Sequence, residues 1–231
     1  MNSGLVAGGN IVAPVMRENR SGAQRDGNSS QTGPGAPIRI LFLGASPEDL
    51  TRLRLDQEVR QIDQSLRQGE YRDRFNLVSH WAVRPSDLQT CLLRHRPHIV
   101  HFSGHGSDTK AICLEDNEGR AQKIEGAVLA RLLAVFKTSV RCVVLNACYS
   151  AGQAQSIAQD IECVVGMATA VGDQAAIAFS SAFYQALAFG CDVATAFELG
   201  CVQIGLDGQL DEENTPRLIA LKRNPTEIVF N

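Results

Sequence analysis

The sequence predicts one α/β domain with a mostly parallel six-stranded sheet covered by helices on both faces. Three observations predict it. Apolar runs of four to six residues recur along the chain and read as buried strands. Stretches with apolar residues at helical spacing separate these runs nearly throughout, the pattern of strand–helix–strand crossovers. Two of the runs, Ile99–Ser103 and Arg141–Leu145, lead directly into a histidine and a cysteine. Reactive groups of parallel sheets sit at the carboxyl ends of neighbouring strands.

Residues 1–37 stand apart. They are rich in Gly, Asn, Ser and Pro and close on Gln31-Thr-Gly-Pro-Gly-Ala-Pro37, too poor in apolar side chains to offset chain entropy. Within them, Gly4–Val15 carries two short β-prone pieces. The segment therefore reads as a disordered tail, or as a tail bearing a recruitment or homotypic assembly motif that gains a strand partner on binding.

The domain, 38–231, begins with the strand Ile38–Leu43. Ser46, Pro47, Glu48 and Asp49 then read as the cap and first turn of a helix. Leu55, Val59, Ile62 and Leu66 continue it at helical spacing to Gly69. The glycine pattern of a nucleotide-binding turn is missing there. Phe75–Val83 reads as a second strand, and Pro85–Asp87 opens a short helix that ends before Pro97. After the third strand, Ala111–Leu114 and Gln122–Ile124 form a small hairpin about a polar turn. A helix over 126–136 leads to the fourth strand, and one over 151–161 to the fifth, Cys163–Met167. A helix after Asp173, a second from about 193 to 204, and a sixth strand over 216–221 complete the domain.

Composition excludes several classes. The 231 residues are 44% hydrophobic and 20% charged with a net charge of −3, so a sizeable core is available and no basic surface invites nucleic acid. No apolar stretch approaches the roughly 18 residues of a membrane span, and no secretory signal opens the chain. Seven scattered cysteines, an odd number, point to free thiols and a reducing, cytoplasmic setting. No Cys-x-x-Cys pair suggests zinc, and no cofactor is expected.

The chemistry gathers at His105 and Cys148. A thiol attacks as thiolate, and few thiols are ionised at pH 7. Cys148 precedes a helix starting near Ser150, whose positive end favours negative charge. His105 can take the thiol proton as general base. The two lie 43 residues apart, the length of one crossover, so their strands can be neighbours. Gly106 lets the backbone approach a substrate carbonyl, forming an oxyanion hole with the Cys148 N–H. His101 sits on the strand body and reads as a core or supporting residue. His80, His95 and His98 have no evident partner.

His101-Phe-Ser-Gly-His-Gly106 and Val144-Leu-Asn-Ala-Cys-Tyr-Ser150 resemble the His and Cys signatures of CHAT domains, bacterial members of the caspase-like cysteine peptidase clan that includes separase, metacaspases and legumain. Ile40-Leu-Phe-Leu43, Leu53-Arg-Leu-Asp-Gln-Glu58 and Gly172-Asp-Gln-Ala-Ala-Ile-Ala-Phe179 extend the resemblance over about 38–221. It implies a three-layer caspase–hemoglobinase fold and a Cys148–His105 dyad. It also implies cleavage of protein substrates through an acyl-enzyme, as an effector in bacterial defence or programmed cell death. A protein activator or recruiting partner would act through residues 1–37. Asp173 matches the acidic position that in this clan lines the pocket for the residue before the scissile bond, favouring Arg or Lys. The same aspartate also reads as the N-cap of the following helix. Two features depart from the family: there are no helical repeats, and Ala168-Thr-Ala170 stands where many members carry a tryptophan. Two other readings remain: a catalytically weak assembly module, and a hydrolase of a small amide or ester, which would need a closed apolar pocket.

Overall fold

A computed structural model of the chain describes residues 36–107 and 111–230. The expected tail, with its β-prone island, lies outside the described residues but for its last two positions. In chain order the elements are β1 (Ile38–Ala45), α1 (Leu55–Gln68), β2 (Phe75–His80), α2 (Pro85–His95), β3 (Ile99–Gly104), β4 (Ala111–Glu115) and β5 (Ala121–Glu125). They continue with α3 (Gly126–Val135), β6 (Cys142–Asn146), α4 (Ala151–Ile157), β7 (Cys163–Met167), α5 (Asp173–Ala188), α6 (Val193–Leu206) and β8 (Pro216–Ile219).

Six strands form one sheet in the order β2-β1-β3-β6-β7-β8. All neighbours are parallel except the edge strand β8, which runs antiparallel to β7. β4 and β5 form the small separate hairpin that the sequence predicts. Alternate residues of each central strand face opposite layers. Ile40, Phe42, Cys142, Val144 and Val165 pack with α1, α5 and α6 side chains such as Ile62, Phe179 and Ile204. Leu41, Leu43, Val100, Val143 and Leu145 pack with Leu88 and Leu92 of α2, Leu133 of α3 and Ile157 of α4. Burial on both faces is why these strands read as continuous apolar runs rather than alternating ones. No described helix is long and apolar enough to cross a membrane.

One expectation fails in an informative way. Ser46–Asp49 does not open a helix; α1 starts at Leu55, and the cap-like residues form a loop. Their polar groups are engaged elsewhere. The Ser46 N–H donates to Glu115 Oε1 at 3.0 Å, the Glu48 N–H to the Gly119 carbonyl at 2.9 Å, and Asp49 Oδ1 accepts from the Ala121 N–H at 2.8 Å. Ser46 Oγ accepts from Leu53 N–H at 3.2 Å, closing the loop on itself. Residues that would cap a helix locally instead bind it to the distant β4–β5 hairpin.

Strand order reverses at β1, which has β2 on one side and β3 on the other. Such a switch point leaves a crevice at the carboxyl ends of the strands. The loop after β1 and the residues after β3 and β6 meet there.

Candidate active site

β3 and β6 lie side by side, Ser103 opposite Asn146. Two residues further along each strand's direction come His105 and Cys148, so the register delivers imidazole and thiol at the same level. Both are partly exposed, and both line one small cavity of about 40 Å³.

Cys148 is set by a sharp turn. Tyr149 follows it at φ 57°, the left-handed region that a non-glycine residue adopts only when its surroundings impose it. The buried Ser150 fixes the turn: its Oγ–H donates to the Leu145 carbonyl at 2.9 Å and its Oγ accepts from the Met167 N–H at 2.9 Å. The Cys148 sulfur is clasped by one residue, accepting from the Val171 N–H at 3.4 Å and lying 3.7 Å from the Val171 carbonyl. The helix behind it, α4, starts at Ala151 and is only seven residues long.

His105 is oriented from the loop after β1. Its Nε2 lies 2.7 Å from the Thr51 carbonyl, which can only accept, so Nε2 carries the proton and Nδ1 is left as the base. The hairpin supports the same residue through the Cys113 N–H, which donates to the His105 carbonyl at 2.9 Å.

Gly106 abuts the backbone of Cys148. A Cβ added there would stand 1.9 Å from the Cys148 carbonyl oxygen and 3.0 Å from its nitrogen, and neither atom can swing away as a side-chain tip would. Gly106→Ala is therefore expected to displace the Cys148 backbone. It should cost about 1–3 kcal/mol, as overpacking does, and lower kcat/KM on any cleaved peptide by about a hundredfold, as an ångström of misplacement does. Melting and turnover measured together check this, and near-normal turnover in the variant would contradict it.

Asp173 does not cap its helix. The N-cap is Gly172, and Asp173 is the first residue of α5, where its charge still suits the positive end. Its Oδ2 accepts from the Arg54 backbone N–H at 3.3 Å and lies 3.5 Å from Arg54 Nε. The carboxylate lines the same cavity as His105 and Cys148.

Beneath the cavity lies a buried polar cluster. Glu58 of α1 is 2% exposed; its Oε1 accepts from His101 Nε2 at 3.0 Å, Asn146 Nδ2 at 2.7 Å and the Ser180 hydroxyl at 2.8 Å, and its Oε2 accepts from the Ser103 hydroxyl. His101 Nδ1 lies 3.1 Å from the Tyr184 hydroxyl. Burial pushes the Glu58 carboxyl up, but His101's hydrogen bond and charge, with the bonds from Ser103 and Asn146, together hold it below the usual carboxylate range. Asn146 Oδ1 is buried without a hydrogen-bond partner among the described residues.

The four expected residues are thus placed together, with His105, Cys148 and Asp173 lining the cavity and Gly106 against Cys148. The expected supporting role of His101 is filled by its bonds to Glu58 and Tyr184. Three histidines left without a partner have one. His80 and His95 meet Nε2 to Nε2 at 2.9 Å. His98 Nδ1 accepts from the Arg39 N–H at 2.9 Å, and burial with the charges of Arg39 and Arg141 pushes its pKa down to about 4. Thr51, Arg54 and Asn146 are the contributors that sequence reasoning misses. Glu58 left one trace, a lone carboxylate on the apolar stripe of α1.

Comparison with known proteins gives the family and the fold. The CHAT domain model matches residues 16–199. A Roc-COR-CHAT protease from an unknown prokaryotic organism is 24% identical over 165 residues, 68% of this chain and 16% of that protein. A probable protease of Gillisia limnaea is 22% identical over 150 residues, 64% of this chain and 26% of that protein. The match thus spans only 16% and 26% of the length of these curated relatives. Among solved structures, the Arg specific cysteine proteinase gingipain R superposes with a TM-score of 0.58 at 12% identity, covering 82% of this chain and 47% of that one. Caspase-1 from Spodoptera frugiperda gives 0.56 at 11% identity, covering 84% and 89%. The fold is therefore caspase–hemoglobinase-like, and the chain belongs to the CHAT domain family.

Proposed function

We propose that this domain is a cysteine endopeptidase acting on protein substrates. The observation that carries the reading is the level placement of Cys148 and His105 on adjacent parallel strands, with His105 Nδ1 left as the base. In this reading Nδ1 takes the Cys148 proton as the sulfur attacks the scissile carbonyl. It then passes the proton to the leaving amine as the C–N bond breaks. Water, deprotonated by the same nitrogen, hydrolyses the thioester and regenerates the thiol. The N–H groups of Gly106 and Cys148 are the candidate oxyanion donors. Asp173 is the candidate receptor for a basic residue before the scissile bond. The protease names of the matched relatives support the class. A cavity holding the Glu58 and Asp173 carboxylates, beside an open groove of about 520 Å³, suits a peptide better than a small apolar amide. Service as a defence or cell-death effector, and recruitment through residues 1–37, extend the proposal beyond the site.

The test is a peptide library digested by the purified chain, read by mass spectrometry, with thiol labelling alongside. Cleavage inside peptides, concentrated after Arg and Lys, is expected. A limited dose of iodoacetamide at neutral pH should label Cys148 ahead of the other six thiols. Burial pushes the thiols of Cys91 and Cys113 up, and that of Cys201 to about 12. An undigested library, together with labelling of Cys148 no faster than of the similarly exposed Cys191, would favour a scaffold over a protease.

A further inference from the structure

The Arg54 side chain stands where a substrate's basic side chain would have to go. Its Nε lies 3.5 Å from Asp173 Oδ2, and its Nη1 reaches Gln57 Oε1 at 3.4 Å. Arg54 and Ile177 each line both the 40 Å³ cavity beside Cys148 and the 520 Å³ groove between α1, α5 and α6. Arg54 is therefore part of the partition between them. The smaller cavity is the confined one of the two, about 40 Å³ against 520 Å³. Moving the Arg54 side chain aside would join it to the groove and free the Asp173 carboxylate at once.

We propose that Arg54 is a built-in competitor and gate for the specificity carboxylate, displaced when a basic substrate side chain binds Asp173. This rests on the reading of Asp173 as the pocket floor. Displacement is easy. The guanidinium side chain is 53% exposed and the contact is single rather than bidentate, the kind of pair that contributes little in water. The backbone stays in place when the side chain leaves, because the Arg54 N–H bonds Asp173 Oδ2 independently. Thr51, three residues earlier, therefore keeps its carbonyl on His105. Two further acceptors favour a cation entering here: the buried Glu58 carboxylate lines the cavity, and so does Asn146, whose Oδ1 has no partner among the described residues.

The experiment measures the rate at which Cys148 of the full chain is alkylated by peptidyl chloromethyl ketones ending in Arg, Leu or Asp. Turnover of a known substrate is not needed. Arg54→Ala is expected to raise the Arg-over-Leu rate ratio about two- to fivefold, the fold-change equivalent to losing one exposed ion pair. Arg54→Lys, which keeps a cation, should leave the ratio near that of the wild type. In an Asp173→Asn background, Arg54→Ala should have no effect on the ratio. Melting curves establish that each variant is folded. A ratio unchanged or lowered by Arg54→Ala, while Asp173→Asn abolishes the preference for Arg, would overturn the gate and leave the pocket standing. A preference for Arg that survives Asp173→Asn would overturn the pocket and the gate with it. Fast alkylation by the Asp reagent that collapses in Arg54→Ala would make Arg54 a receptor for acidic residues, which also overturns the proposal.

Discussion

Cys148→Ala is expected to lower peptide cleavage by at least about 10⁴-fold, because the proposed acyl-enzyme forms on its sulfur and single deletions of a nucleophile cost on the order of 10⁶ in well-studied serine hydrolases. His105→Ala should cost about 10²–10⁴-fold, the usual contribution of a positioned general base. Neither change should disturb the fold. Among the described residues the Cys148 sulfur hydrogen-bonds the backbone of Val171, and the His105 side chain the Thr51 carbonyl, so neither ties together distant side chains. Both residues are partly exposed, so little apolar contact is lost. The double variant should be no worse than Cys148→Ala alone, since an imidazole without a thiol to deprotonate contributes nothing to the same step. Measured kcat/KM for the three variants decides it. Losses that multiply in the double variant would mean that the two side chains act in separate steps, and retention of activity in Cys148→Ala would remove the nucleophile assignment.

Sequence and structure agree on the parts of this molecule that are local and part company where contacts are distant. The central strands of the sheet are legible because burial on both faces makes an apolar run, the edge strands β2 and β8 are partly exposed and read more weakly, and the hairpin is legible from its polar turn. The Ser46–Asp49 loop is not. Its residues have the chemistry of a helix start, and only the hairpin 69 to 72 positions later decides that they bond outward instead. The site divides along the same line. His105 and Cys148 announce themselves by standing at the ends of apolar runs. Thr51 acts through a backbone carbonyl, which no side-chain pattern can reveal. Asp173 is correctly picked out as a charged residue at a helix start, yet its partner Arg54 sits 119 positions away in a loop the pattern assigns to a helix.

Glu58 carries the largest expected effect on stability. Its carboxylate gathers donors from β3, β6 and α5 onto the first turns of α1, and the Ala variant would leave those donors buried without their acceptor. Removing one partner of a buried charged cluster costs about 3–5 kcal/mol. For a domain of this size each kcal/mol lowers Tm by about 2–4 °C, so a fall of roughly 6–20 °C is expected for Glu58→Ala. Glu58→Gln keeps the volume and loses the charge, and should fall between wild type and Ala. The pH dependence separates a charged anchor from a merely well-packed side chain. Burial alone would raise this carboxyl, yet the His101, Ser103 and Asn146 bonds and the His101 charge hold it below its ordinary value of 4.5. A folded-state pKa below the unfolded one means the stabilisation is complete above about pH 4.5 and is lost as the pH falls through the folded value. The stability gap between wild type and Glu58→Gln, from urea melts, should therefore be constant from pH 5 upward, as far as Glu58 alone sets it, and shrink in more acidic buffer. A gap that holds the same size down to pH 3 would show that Glu58 contributes through its shape and not its charge.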